Sequence, residues 1–335
     1  MFYVFDTMSA SWLSSDSVNC LDFSEDNLLV AAGMSESYIR IWSLDGKALP
    51  SQVESQRPSA SRRLVGHSGP VYAVSFSPAT ASNDASETST GCRFLLSSSA
   101  DSAVRLWSLD TWSCLVVYKG HSQSVWDVTW SKHGLYFLTG SHDRTARLWR
   151  TDHVSDLRLF NGHDSDVDCV AFHPNGSYVF SGGCDRSVRM WAVSSGNNVR
   201  LFTGHTGNVT ALACSPSGKI LASADDAGII ILWNLASGLI KKRMRGHARG
   251  GIWSVSWSAE STVLVSGGAD GTVRVWDVDP PETSKDSTNL GQGRVIAEGV
   301  TGQKIDGNAQ MASAPKKKGK DGKHISLSLL PFLAK

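Results

Sequence analysis

Long apolar runs are missing from this sequence of 335 residues; none approaches the roughly 18 to 20 consecutive apolar residues that a membrane-spanning helix requires. The segment after Met1 also lacks the basic start and apolar stretch of a secretory signal peptide, so the sequence reads as soluble and intracellular. Cysteine is sparse and shows no pairing pattern. Cys20, Cys92, Cys114, Cys169, Cys184 and Cys214 include no C-x-x-C and fall on or beside β-rich segments, which speaks for buried thiols and against zinc or disulfides. Excess charge is missing too. The formal net charge is +1; residues 1–278 carry 23 Lys/Arg against 25 Asp/Glu, and residues 279–335 carry 9 against 6. A near-neutral body lacks the basic footprint of sequence-independent nucleic-acid binding. No phosphate loop, metal-ligand spacing or nonrepeating polar constellation occurs. The expectation is therefore a non-enzyme with no cofactor, no metal, no small-molecule substrate, no sequence-specific nucleic-acid contact and no membrane association.

What the sequence does have is a repeat. Gly-His dipeptides stand at Gly66-His67, Gly120-His121, Gly162-His163, Gly204-His205 and Gly246-His247, the last four in steps of 42 residues. After each comes an apolar alternation, a second apolar run ending in small residues, and an aliphatic strand closing on Trp107, Trp149, Trp191, Trp233 or Trp276. Trp42 closes an earlier unit without the Gly-His. This is the WD-repeat signature, one four-stranded propeller blade per period. The expected fold is an all-β WD40 β-propeller over residues 1–278, with six recognisable blades and an incomplete seventh. Residues 279–335 are expected to form a polar, Lys-rich, disordered tail. Blade 3 shows the strands most cleanly, at 125–130, 136–139, 146–149 and 157–160, with Ser131-Lys132-His133-Gly134 as the first turn.

Ten residues before each blade tryptophan lies a hydroxyl: Ser97, Thr139, Ser181, Ser223 or Ser266. Six before lies Asp101, Asp143, Asp185 or Asp270. With His67, His121, His163, His205 and His247 these supply a hydrogen-bonded chain from indole to hydroxyl, imidazole and carboxylate. A catalytic triad has the same residue types, but a catalytic set occurs once, whereas this one recurs with its hydroxyl in mid-strand. Two blades depart from the rule. In blade 5 the six-back position is Ala227 and the acid lies one residue early, at Asp226 beside Asp225, so the loop is expected to be re-formed around Ala227-Gly228. Blade 1 has Glu36 and Ala32 in place of acid and hydroxyl, and is expected to be the least rigid. Phe2-Tyr3-Val4-Phe5 is the natural ring-closing strand. The seventh blade would then draw on residues beyond Trp276, where 294–297 and 327–330 are the strand-like pieces. Polar insertions at about 45–62 and 79–91 read as flexible loops.

LVGHSGPVYAVSFSP (64–78), LLSSSADSAVRLWSLDTWSCLVVYKGHSQSVWDV (95–128) and ARLWRTDH with LRLFNGHDSDVDCVAFHPN (146–175) resemble the propeller of the WD-repeat TBP-associated factor family. Thr151-Asp152-His153 after the blade tryptophan is the most specific mark, and the resemblance spans about residues 1–278. It implies a subunit shared by TFIID and SAGA-type complexes: a nuclear, non-catalytic scaffold for RNA polymerase II transcription whose partners are other protein subunits. The family's N-terminal helical region has no counterpart here and residues past 320 do not continue its last blade, so the sequence is expected to be a fragment or an unusual gene model. Lys316, Lys317, Lys318 and Lys320 form a short basic cluster of the kind an import receptor reads. A different class, the cytoplasmic ubiquitin-ligase substrate receptor, usually carries Arg shortly after the blade Trp-Asp; WSLD, WRTD, WAVS, WNLA and WDVD have none in place.

Partners are expected on the Gly-His face. The position after the Val or Ile that opens each first strand points toward the central opening and carries Asn19, Tyr72, Trp126, Asp168, Thr210 and Trp253. Tyr72, Trp126 and Trp253 suggest an aromatic anchor patch. Asp164, Asp166 and Asp168 beside them suit a cationic partner segment. Lys241-Lys242-Arg243 and Arg245 read as a solvated rim that discourages strand pairing.

Overall fold

The computed structural model describes residues 17–47, 49, 60–78, 93–247 and 250–278, together with the backbone of 294–300. Every element is a strand of four to seven residues, as expected from short β-branched and aromatic runs punctuated by Gly, Ser, Asp and Pro. Blade 1 consists of β1 (Val18–Phe23), β2 (Leu29–Met34), β3 (Tyr38–Ser43) and β4 (Ser61–Val65). Blade 2 follows with β5 (Val71–Phe76), β6 (Phe94–Ser99), β7 (Ala103–Ser108) and β8 (Ser113–Lys119). Blade 3 is β9 (Val125–Trp130), β10 (Tyr136–Ser141), β11 (Thr145–Arg150) and β12 (Arg158–Asn161); blade 4 is β13 (Val167–Phe172), β14 (Tyr178–Gly183), β15 (Ser187–Ala192) and β16 (Asn198–Thr203). Blade 5 comprises β17 (Val209–Cys214), β18 (Ile220–Asp225), β19 (Ile229–Asn234) and β20 (Ile240–Arg245), and blade 6 β21 (Ile252–Trp257), β22 (Val263–Gly268), β23 (Thr272–Asp277) and β24 (Arg294–Val300). Each blade is an antiparallel meander whose spatial order is its chain order. The described residues form an all-β, six-bladed WD40 β-propeller.

First strands pack side by side in the order β1, β5, β9, β13, β17, β21, and the cores lie between blades. Ile39, Ile41 and Leu64 of blade 1 meet Val71, Val74, Leu95 and Trp107 of blade 2, and equivalent clusters recur at each junction to blade 6. Each blade tryptophan thus packs against the preceding blade. Trp107, Trp149, Trp191, Trp233 and Trp276 are at most 2% exposed. Burying about 150 to 250 Å² per ring contributes up to roughly 4 to 6 kcal/mol. Polar stitches cross the same junctions: Phe76 N donates to Asp22 (2.8 Å), Val170 N to Asp127 (2.9 Å), Trp130 Nε1 to Ser75 O (2.9 Å) and Trp257 Nε1 to Ala213 O (3.0 Å).

Trp42 differs, clustering with Val30, Ala32, Met34 and Tyr38 of its own blade. Between β21 and β1 the described residues make no packing comparable to the other junctions. Phe2-Tyr3-Val4-Phe5 and the apolar 327–330 lie outside the described residues, as do most of the 45–62 insertion and all of 79–91. One expectation is corrected. The strand-like piece at 294–297, assigned from sequence to a seventh blade, lies in β24, which pairs Trp276 with Val295 and Thr272 with Val300 as the outer strand of blade 6. The sixth sheet therefore reaches past the boundary at 278. Its pairing spans a connection too polar and too long for local pattern to show.

Candidate functional site

The repeated polar set sits where the sequence spacing put it. Trp107 Nε1 donates to Ser97 Oγ (2.8 Å), Ser97 meets His67 Nε2 (2.7 Å), and His67 Nδ1 meets Asp101 (2.9 Å). Blade 3 repeats this through Trp149, Thr139, His121 and Asp143 (2.9, 2.7 and 2.8 Å). Trp191, Ser181, His163 and Asp185 do so in blade 4 (2.8, 2.7 and 2.7 Å), and Trp276, Ser266, His247 and Asp270 in blade 6 (2.8, 2.8 and 3.0 Å). Each acid also builds the turn that follows it: Ala103 N, Thr145 N and Ser187 N donate to the carboxylate oxygen that the histidine leaves free, and Thr272 N donates to Asp270 Oδ1. Burial alone would raise these carboxyls; the imidazole and backbone hydrogen bonds outweigh it and hold Asp101, Asp143 and Asp185 well below the usual carboxylate range. The five hydroxyls, Ser97, Thr139, Ser181, Ser223 and Ser266, are at most 1% exposed and already bonded to an indole. No substrate reaches a hydroxyl so placed, so this set clamps strands.

In blade 5 the acid is neither at the expected place nor at Asp226. His205 Nδ1 meets Asp225 (2.9 Å), while Ser223 joins His205 Nε2 (2.5 Å) and Trp233 Nε1 (2.7 Å). Asp225 ends the second strand, where Ser99, Ser141 and Gly183 stand elsewhere, and its other oxygen accepts Ile229 N at 2.8 Å. The turn is not re-formed: Gly228 takes a φ of +78° at the position where Ser102, Arg144 and Arg186 take +62° to +68°. Asp226 instead accepts Asn208 N at 2.9 Å.

A second stack escaped the sequence reading. Arg105, Arg147, Arg189 and Arg274 precede their blade tryptophans by two residues, and guanidinium and indole together cover the Gly of each Gly-His. A Cβ on Gly120 would lie 2.8 Å from the Trp149 ring and 3.1 Å from Arg147 Nη1. Blade 5 has Ile231 at that place; its cross-strand partner Arg243 fills in and donates to Gly204 O at 2.9 Å. Arg243 thus stays on the exposed rim and adds a hydrogen bond across it to the Gly-His loop. The strand alternation x-Arg-x-Trp was the available signal.

At the mouth, the six positions singled out share one backbone device. The β1–β2 register jumps from Val18 to Cys20, and the other first strands skip residues 72, 126, 168, 210 and 253. Each is the extra residue of a β-bulge, which re-aims its side chain out of the ladder. Asn19 Nδ2 donates to Val71 O (3.0 Å), and Thr210 Oγ1 donates to Ile252 O, lacing adjacent blades. Tyr72 and Trp126 are brought together, ring centroids 4.5 Å apart. Trp253, three blades from Trp126, stands 62% exposed, so the three aromatics form a pair and a separate ring.

Trp126 next meets His142 edge-on at 6.3 Å, and His142 Nδ1 is hydrogen-bonded to Asp166. Cys184 Sγ donates to Asp168 Oδ2 at 3.1 Å. Asp164 is exposed, its backbone N directed to Asp185, so the acid trio resolves into a pair, Asp166 and Asp168. Burial, then the charges of Asp166 and Asp226, push Asp168 up to about 6, against the Cys184 hydrogen bond and His142. Burial, the hydrogen bond to Asp168 and the charges of Asp168, Asp166 and Asp226 push the Cys184 thiol up to about 12. Of the described cysteines, Cys20 and Cys169 are buried; Cys114, Cys184 and Cys214 are half-buried, correcting the view that all are interior. Cys92 lies outside the described residues. Asp166, Asp168 and Cys184 bring ligand atoms within 4.8 Å of one another, with the thiol donating to Asp168. His142 was not singled out from sequence, and Cys184 and Asp226 were not read as mouth residues, because all three belong to turns brought to the mouth by neighbouring strands.

Six meandering blades, the indole–hydroxyl–imidazole–carboxylate chain and a bulged mouth define a WD-repeat propeller. Comparison with known families agrees: the model described as the IFT122 first beta-propeller matches residues 88–295, and that of the WD domain, G-beta repeat, matches 7–43 and 59–108. The chain belongs to this family of WD-repeat β-propellers. Within it, the chain is similar to the SAGA complex/transcription factor TFIID complex subunit Taf5 of Schizosaccharomyces pombe, 51% identical over 107 residues, or 31% of this chain and 15% of that protein. It is likewise similar to transcription initiation factor TFIID subunit 5 of Drosophila melanogaster, 40% identical over 126 residues (32% of this chain, 16% of that one). The protein of that name from Arabidopsis thaliana is 42% identical over 115 residues (30% and 15%). These are the relatives to which blades 2 to 4 pointed, and each match spans less than a fifth of the relative's length.

Proposed function

We propose that this chain is a non-catalytic scaffold subunit of a nuclear transcription complex of the TFIID or SAGA kind, acting in RNA polymerase II initiation or coactivation through contacts to other protein subunits. The observation that carries this reading is the 51% identity to the Taf5 subunit, since a propeller fold by itself hosts many functions. The mouth supports it: Tyr72, Trp126 and Trp253 present aromatic surface of the type that dominates interface energetics, and Asp164, Asp166 and Asp168 flank it. The proposed import cluster, Lys316, Lys317, Lys318 and Lys320, lies outside the described residues. Affinity purification of the tagged chain from nuclear extract, followed by mass spectrometry, tests the proposal. TFIID- or SAGA-type subunits should co-purify at stoichiometric levels; a set of ubiquitin-ligase components instead would refute it.

A further inference from the structure

We infer that the mouth of this propeller is a receptor for one cationic side chain, a lysine or arginine on an extended segment of a partner protein, lying across the Trp126 ring with its charged end against Asp166 and Asp168. The inference rests on the scaffold reading and specifies the chemistry of the partner.

Continuity carries the argument. The tilted Tyr72–Trp126 pair offers a π-surface, His142 abuts Trp126 and is bonded to Asp166, and Asp168 follows one bulge further round the ring. A cation that settles on an aromatic face gains most where a carboxylate lies alongside, and here the two surfaces touch through one imidazole. Asp168 faces the carboxylates of Asp166 and Asp226, the Cys184 thiol and His142. Such crowding repels an anionic segment, and a neutral apolar segment would remove water from Asp168 without replacing it. A positive side chain relieves both conditions.

The Trp126 indole also brings an unsatisfied donor to this position. Trp107, Trp130, Trp149, Trp191, Trp233, Trp257 and Trp276 each donate the indole N–H to an oxygen. That of Trp126 is buried and meets no acceptor among the described residues. A docked segment's carbonyl would supply the acceptor after a small ring rotation.

The test titrates the full chain with fluorescein-labelled nine-residue Gly/Ser peptides carrying three spaced lysines, arginines or glutamates, followed by anisotropy. The lysine or arginine peptide should bind and the glutamate peptide should not. Asp166→Asn and Asp168→Asn, which preserve shape, should each weaken binding roughly tenfold, and Trp126→Ala roughly 30-fold, the hot-spot threshold. Asp110→Asn, on the opposite face, should leave it unchanged. Wild-type affinity in both asparagine variants, or equal binding of the glutamate peptide, overturns the inference even if Trp126→Ala fails to fold. Replacing Lys316, Lys317, Lys318 and Lys320 by serine serves as a further arm. A marked rise in peptide affinity would show the chain's own basic cluster to be the occupant, and partner docking would fall. The scaffold reading fails separately, when the wild-type chain captures no transcription-complex subunits whatever the peptides do.

Discussion

Replacing Asp168 by asparagine should make this protein more stable, and the gain should depend on pH. The carboxyl sits half-buried beside Asp166 and Asp226, and its titration is moved from the ordinary 3.8 to about 6. Two units at about 1.4 kcal/mol each give a ceiling of roughly 3 kcal/mol against folding. Water at the mouth screens part of this, leaving about 1 to 2 kcal/mol. The sign follows from linkage. The folded value lies above the unfolded one, so the unfolded chain releases this proton first as pH rises. The penalty is absent below about pH 4, grows between pH 4 and 6, and is complete above. Asparagine keeps an oxygen to accept from Cys184 and removes the charge. Urea unfolding of both proteins at pH 7.5 and 4.5 supplies the difference, in which acid effects common to both cancel. A variant no more stable than its parent at pH 7.5, or equally favoured at both pH values, would show that charge crowding is not what holds Asp168 up.

Other expectations concern the clamps. Trp149→Ala should cost roughly 3 to 5 kcal/mol, as large-aromatic deletions in cores do, and Asp143→Ala less; equal losses in thermal melts would reverse the ranking of burial over hydrogen bonding. In blade 5, Asp225→Ala should cost roughly 2 to 3 kcal/mol because it strips acceptors from His205 and Ile229 N, whereas Asp226→Ala should stay under about 1 kcal/mol; chemical denaturation of the pair decides which acid is the clamp. Hydrogen exchange should be faster in residues 18–43 than in 121–191, since blade 1 lacks the chain of hydroxyl, imidazole and acid and its Trp42 packs on no described neighbouring blade; equal protection would mean that the missing clamp is immaterial.

Apart from the x-Arg-x-Trp stack, the parts of this fold that repeat were readable from sequence, and the parts that depend on a neighbour were not. Trp149, Thr139, His121 and Asp143 recur at fixed offsets because each blade solves the same problem of satisfying a buried indole and imidazole, so spacing alone found them. Asp225 broke the spacing because a carboxylate two residues earlier reaches the same imidazole from the end of β18, an equivalence that exists in space and not in register. Arg243 substitutes for an arginine on the adjacent strand by the same route. At the mouth, the bulge residues were legible from their place after the opening Val or Ile. Their companions His142, Cys184 and Asp226 lie in turns whose approach depends on how blades are set side by side. β24 pairs across a long polar connection that carries no local strand signal.

The bulge in every first strand has a consequence for how such a surface changes. A residue that opposes no partner across the ladder can be exchanged without altering pairing, register or the clamp behind it. Of the six bulge positions, 72, 126, 168 and 253 can therefore vary without breaking a hydrogen bond between blades, whereas Asn19 and Thr210 lace one blade to the next. Selectivity can be rewritten one blade at a time, like keys cut on a common blank, while the cores between blades stay as they are.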